Sequence, residues 1–403
     1  MTLWLIIYKS LRQHAFSTVL TALSIALAGG LLMSVWTVRE QSHAAFTGMS
    51  GGFDAVLGAR SAKLQLVLNA VFHLEESPGN LGWSDYLEIQ KNPNVELAVP
   101  IAMGDNYRGY RLVGTSPEFF TKAEYAPGKR CAPRAPGRIF DPTAREAVAG
   151  SLVAEKLGLK RGDVIHPFHG LLFDEEKEHA ETYLVVGILE PTNTPADRVI
   201  WIPLEGLQRM SGHDPAAASD ISAVLIKLKA GSAIAGQRLN LLYNKEGSRL
   251  TFAWPIGQIM AQLFGKIAWF DRVLELVAYL VALVATGSIL ASLYNSMNER
   301  RREIAILRAL GAHRRTVLAS IILEAAAIAT LGMAIGFGFY AVILLGVASV
   351  VRAQTGIVLD PLAFHAIMLW APLGLIGLSA LSGIVPAVKA YRTDVAENLA
   401  PIS

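Results

Sequence analysis

The stretch HPFHGLLFDEEKEHAE, running from His166 to Glu181, gathers His166, His169 and His179 among Asp174, Glu175, Glu176, Glu178 and Glu181. Neutral imidazole and carboxylate together form the ligand set of a transition ion such as zinc. The spacing is not that of a compact structural zinc motif, and a solvated acidic loop with incidental histidines is the default reading of the same residues. No G-x-S-x-G, H-E-x-x-H or paired-carboxylate pattern suggests a hydrolase, so the chain reads as a non-enzyme with no catalytic residues. Nucleotide chemistry is also missing from these 403 residues. A phosphate-cradling loop needs G-x-x-x-x-G-K-[ST], and Gly109 to Thr115 has the glycine spacing with Thr115 where the lysine should stand.

A second concentration of charge lies in NERRREIAILRALGAHRRTVL, Asn298 to Leu318, which carries six arginines between two long apolar runs. Ile304, Leu307 and Gly311 fall on one helical face with Leu310 beside them, while Arg301, Arg302, Glu303 and Arg308 occupy the rest. Gly311 is placed to stop the helix, and Ala312 begins the return. Arginines alone could serve as a topology anchor. They do not account for the apolar ridge of Ile304, Leu307, Leu310 and Ala312, which suits a partner's groove.

The elements around these residues belong to a membrane protein. The chain is 52% hydrophobic and 17% charged, too apolar for an ordinary soluble protein. Phe16 to Val38, Val273 to Asn295, a run inside Val317 to Val351, and Phe364 to Val388 each supply the roughly 20 apolar residues that a crossing requires. Glu324 places the first turns of the third run at the interface, with the crossing starting near Ala325. Lys9, Arg12, the six arginines of the loop, Lys389 and Arg392 put both termini and that loop in the cytoplasm. The segment Arg39 to Arg272 is then external, with 25 Lys and Arg against 26 Asp and Glu. That near-neutral balance, with positive charge kept to the inner side, argues against a nucleic-acid partner. The first span reads as an uncleaved anchor, and the single cysteine, Cys131, leaves the outer domain without an internal disulfide.

The expected fold is therefore four transmembrane helices with a large α/β (α+β) extracytoplasmic domain inserted between helices 1 and 2. Its parts are a cytoplasmic N-terminus and first span (1–38), an outer domain of two lobes (39–255), a stalk and second span (256–295), and the cytoplasmic loop (296–316). The third span (317–351), a short external loop (352–363) and the fourth span with its tail (364–403) complete it. Strands are predicted at Val95–Met103, Tyr110–Thr115, Glu146–Gly150, Thr182–Leu189, Val199–Pro203 and Ala223–Leu228. Helices are predicted at Trp83–Lys91, Ser151–Leu157, Leu204–Ser211 and Ala233–Tyr243. Ile256, Met260, Leu263, Ile267 and Phe270 step by three or four, and no proline interrupts Lys266 to Leu293. This reads either as a stiff stalk running into the second span or as an amphipathic helix packed on the outer domain. Gly287 with Ala291, and Gly332 with Gly336, are small-xxx-small pairs that permit close helix contact.

The run R-R-E-I-A-I-L-R-A-L-G-A, followed by S-I-I-L-E-A, resembles the signature of FtsX/MacB-like permeases of ATP-binding-cassette systems, the mechanotransmission or type VII class. One span, a large outer domain and three further spans match that family's layout. FDAVLGARSAKLQLVLN and VVGILEPTNTPADRVIWIPLEG are similar to outer-domain segments of one branch, and Pro386, Ala387, Ala390 and Leu399 to its closing pattern. Tyr391 and Arg392 are bulkier than that pattern's usual residues. The resemblance implies an inner-membrane homodimer working with two copies of a cytoplasmic ATPase, which would bind ATP and Mg on a separate chain. Arg302 to Ala312 would be the coupling helix seated in that ATPase, and outer domains would move rather than a channel open. Export or extraction of a lipoprotein, peptide, drug or metal-linked cargo follows, alone or with a periplasmic adaptor. The alternatives are a signal transmitter that activates a periplasmic partner such as a cell-wall hydrolase, and a metal-sensing protein using the histidine loop.

Overall fold

Side chains alternate across a strand, so a run that is apolar at every position needs cover on both faces. The computed structural model, which describes residues 3–48, 50–171, 173–212, 219–231, 233–299, 306 and 312–391, has that double cover in its outer unit. Twelve strands are present among the described residues: β1 (Ala55–Ala59), β2 (Leu81–Gly82), β3 (Val95–Tyr107), β4 (Tyr110–Thr115), β5 (Glu146–Ala149), β6 (Val164–Ile165), β7 (Phe168–His169), β8 (Tyr183–Ile188), β9 (Ile200–Pro203), β10 (Asp220–Ile221), β11 (Ala223–Leu228) and β12 (Leu250–Ala253). One mixed sheet runs in the order β12-β1-β11-β3-β4-β9-β5-β8-β6, with β7 added to β3; β2 and β10 pair separately. Strand pairing is continuous across the unit, so no break in the sheet divides it into the expected two lobes.

Two cores lie on opposite faces of this sheet. Val224 and Ile226 join Leu57 and Ala98 in one, while Ala223 and Leu225 join Val56, Val99 and Ile101 in the other, as period-two alternation requires. The second core centres on Trp201, which stacks on Phe119 at 4.2 Å between ring centroids and donates its indole N–H to the Ala196 carbonyl at 3.2 Å. All six predicted strands and all four predicted helices occur, with ends displaced by a few residues. The edge strand β12 and its neighbour β1 were not anticipated, nor was the helix Lys63–Ala70 that covers β1. Both strands are short, and their pairing joins residues almost 200 positions apart, which no local pattern announces.

Among the described residues, four helices are long and apolar enough to span a membrane: Ala15–Gly48, Ile256–Asn295 within a helix reaching Glu299, Arg314–Thr355 and Ile367–Val388. The first extends ten residues beyond the expected end at Val38. Chain contacts divide the described residues into a membrane unit within 1–41, 267–348 and 360–403, and an outer unit within 42–266 and 349–359.

Inside the membrane unit, the first and third spans meet backbone to backbone. A Cβ on Gly332 would lie 2.8 Å from the Ala22 carbonyl oxygen, and one on Gly30 would lie 2.9 Å from that of Gly336, so only glycine fits this seam. The Gly332 and Gly336 pair thus serves contact within the chain. Gly287 and Ala291 face outward, and nothing approaches Gly287 within 4 Å. Ser10 donates its hydroxyl to the buried Glu324 carboxylate, giving that charge a partner on the N-terminal helix.

Candidate functional site

The outer unit is entered by three segments that continue from spanning helices. The first is the end of the Ala15–Gly48 helix. Phe46 packs against Phe72 at 5.4 Å and Phe264 at 5.6 Å between centroids, and His43 meets Phe264 edge-on. The second is the start of the Ile256–Glu299 helix. Ile256 and Met260 are buried in the Trp201 core and Leu263 packs against it, whereas Ile267 and Phe270 are 44% and 53% exposed. The expected continuous face therefore divides near Lys266: its first half is core, and its second half carries the exposed apolar surface suited to lipid. One unbroken helix contains both parts. Gly257 allows close approach, since a Cβ there would stand 2.8 Å from the Thr47 carbonyl oxygen.

The third segment, Ser349–Leu359, overlaps the short external loop expected at 352–363 and belongs to the outer unit. Arg352 donates to Glu155 at 2.7 Å, and Arg198 donates from Nε to the Ala353 carbonyl at 3.2 Å. Asn193 brackets Val358, its amide donating to the Val358 carbonyl and its oxygen accepting the Val358 N–H. Ile357 and Leu359 are buried. The Asn193–Arg198 turn is held by Asp197, whose carboxylate accepts the N–H groups of Thr192 and Asn193 at 2.8 to 3.1 Å. Burial pushes the Asp197 carboxyl above the usual range, against the pull of these hydrogen bonds.

The histidine segment resolves into two sets. Asp105 lies opposite His169 where β3 pairs with β7, and the Asn106 amide donates to the carbonyls of Phe168 and Gly170 at 3.3 and 2.9 Å. The His179 N–H donates to Pro167 at 2.9 Å, which returns the loop to the same place. His169 Nδ1 and His179 Nε2 then lie 3.3 and 3.2 Å from the same Asp105 oxygen. The Asp105 and His179 side chains are almost wholly enclosed, and that of His169 is half exposed. His166 is not in this group: its Nδ1 faces Glu178 at 3.1 Å on the surface. Sequence reasoning missed Asp105, which stands more than 60 positions upstream. Its signal was a charged residue following the apolar run Leu97–Met103 within the strand VELAVPIAMGDNY.

Arg302, Glu303, Ile304, Leu307, Arg308, Leu310 and Gly311 lie outside the described residues. Of the predicted coupling residues, only Ala312 is described, and it is partly exposed ahead of the helix that starts at Arg314.

A family model described as the MacB-like periplasmic core domain matches residues 18–236, and one for the FtsX-like permease C-terminal region matches residues 275–395. The macrolide export ATP-binding/permease protein MacB of Nitrobacter winogradskyi is 25% identical over 227 residues, covering 54% of this chain. The chain spans 34% of the length of that relative. The periplasmic region of MacB from Actinobacillus actinomycetemcomitans aligns over 54% of this chain and 94% of its own, at 12% identity and a TM-score of 0.35. The extracellular domain of the noncanonic ABC-type transporter YknZ from Gram-positive bacteria aligns over 49% and 98%, at 16% identity and 0.31. Neither structural likeness is near enough to argue from. The two sequence models carry the assignment: the chain belongs to the FtsX/MacB-like permeases of ATP-binding-cassette transporters.

Proposed function

We propose that this permease transmits the stroke of a cytoplasmic ATPase to its outer unit, so as to export or extract a substrate of the cell envelope. In this reading two copies of the chain act with two ATPase subunits, in which ATP and Mg bind. Both termini and the loop around Leu307 face the cytoplasm, as the placement of arginines and lysines favours. The candidate cargoes are a lipoprotein, a peptide, a drug or a metal-linked molecule, the drug by analogy with the macrolide export named for its relative.

The observation that carries the reading is the unbroken helix Ile256–Glu299. Its 44 residues amount to about 66 Å of helix at 1.5 Å per residue; its first turns belong to the Trp201 core, and the arginine loop follows it in sequence. Helices without proline bend only gently, so displacement at one end reaches the other. The end of the first spanning helix and the Ser349–Leu359 segment add two further grips on the outer unit.

The test is reconstitution of the full chain in lipid vesicles with the ABC ATPase that co-purifies with it. A helix-breaking Lys266→Pro should leave the complex assembled and the basal ATPase intact, while abolishing its stimulation by added cargo. Normal stimulation through the kinked rod would refute the mechanism. Stimulation by a cell-wall hydrolase instead of any cargo would assign the same mechanics to signalling.

A further inference from the structure

We propose that Asp105, His169 and His179 form a binding site for a divalent first-row transition ion, zinc foremost, that clips the 166–181 segment onto β3. One nitrogen from each histidine and one carboxylate oxygen lie within 4.8 Å of one another. The two closest separations, 3.2 and 3.3 Å from Asp105 Oδ1 to His179 Nε2 and His169 Nδ1, equal the ligand-to-ligand edge of about 3.3 Å expected around tetrahedral zinc with bonds near 2.0–2.1 Å.

The hydrogen bond on the far side of His179 decides which lone pair points inward. Its Nδ1 is 2.6 Å from the Ser211 carbonyl oxygen, which can only accept, so the proton of a neutral ring sits on Nδ1. Nε2 then presents a lone pair to a carboxylate oxygen at 3.2 Å. Two acceptors hold that distance when a cation lies between them, either a metal ion or the second proton of an imidazolium, and the experiment below separates the two. This is also the outer-shell arrangement of metal-bound histidine, with the second N–H given to a backbone carbonyl. Ser211 is itself fixed, donating from its N–H and hydroxyl to Glu181 at 3.1 and 2.7 Å.

The donor set suits the proposal. Two imidazoles and one carboxylate favour zinc and its neighbours over calcium or magnesium, which prefer oxygen alone. Three protein ligands leave one coordination position, and the half-exposed His169 gives the site an open side. The site holds whether the permease moves cargo or signals.

The experiment uses the full chain, purified in detergent without a polyhistidine tag and stripped with a chelator. Zinc is titrated in competition with a chromogenic chelator, with cobalt as a coloured probe of the ligand field. One equivalent should bind, weakened at least tenfold by Asp105→Asn or His169→Ala and unaffected by His166→Ala. Zinc should also slow proteolysis within Phe173 to Lys177 in the unaltered chain but not in His169→Ala. Because His169 is half exposed, that variant separates lost ligation from lost folding, and unchanged unfolding of its metal-free form is the control. Equal affinity in the unaltered chain and His169→Ala, or binding lost only in His166→Ala, would overturn the proposal and leave a histidine–carboxylate ion pair.

Discussion

His73 is buried edge-on against Trp201 at 5.8 Å, and its environment removes its ability to carry charge. Burial, then the charges of Arg111 and Arg198, lower its pKa from 6.5 to about 3. Between those two values the unfolded chain binds the proton and the folded chain does not. The stabilisation from a neutral His73 is therefore complete above about pH 6.5 and lost as the pH falls toward 3. The unfolding temperature should drop between pH 7 and 4.5, and His73→Asn, which tolerates the backbone φ of 55°, should flatten that dependence. An unchanged slope in the variant would refute it. Cys131 is similarly silenced, its thiol pushed up to about 12 by burial and then by Asp197. A maleimide should label it only on unfolding, at a rate that tracks loss of the Trp201 core.

At the level of elements, the contacts of one helix against another separate the two glycine pairs. Leucine at 332 would drive its Cβ into the Ala22 carbonyl and Ile25, so Gly332→Leu should cost on the order of 1–3 kcal/mol and lower the yield of folded protein in detergent. A Cβ at Gly287 meets no described atom of a neighbouring element within 4 Å, so Gly287→Leu should leave the unfolding of the isolated chain within about 0.5 kcal/mol of its original value. Equal losses in the two variants would contradict the seam. Periodicity disclosed that both pairs could make close contacts, but not which face meets which neighbour. The stalk shows the same division of knowledge: its spacing from Ile256 to Phe270 was readable, whereas the change from buried Ile256 and Met260 to exposed Ile267 and Phe270 was set by packing.

For the molecule as a whole, the reading as a driven permease places the engine on the loop between the second and third spans. Leu307→Asp puts a charge into its apolar ridge and should abolish co-purification of the ATPase, while Arg301→Lys, which keeps the topology charge, should not. The mutant chain should still insert and fold, as judged by the unchanged unfolding of its outer unit. Retained co-purification would remove the loop from the interface. The Ser349–Leu359 segment adds a second test of scale: Arg352→Ala breaks its link to Glu155, and since the pair is exposed its stability cost should stay within about 1 kcal/mol. Cargo-stimulated ATPase activity should fall more than that small cost implies if this grip carries part of the stroke.

The number of spans and the α/β character of the outer domain were legible in the amino-acid order because each depends on local quantities: run length and period. The family signature in Arg302 to Ala312 was legible for the same reason, being contiguous. Tertiary structure alone decided what depends on distant partners. It chose Asp105 over His166 beside His169 and His179, because strand pairing between β3 and β7 brings together residues that no spacing rule connects. It also seated the external turn against Asn193 and Arg198, and turned Gly332 toward the first span while leaving Gly287 exposed. A sequence records which groups are present and how they repeat; the sheet register and helix rotation that make them neighbours arise only when the whole chain packs.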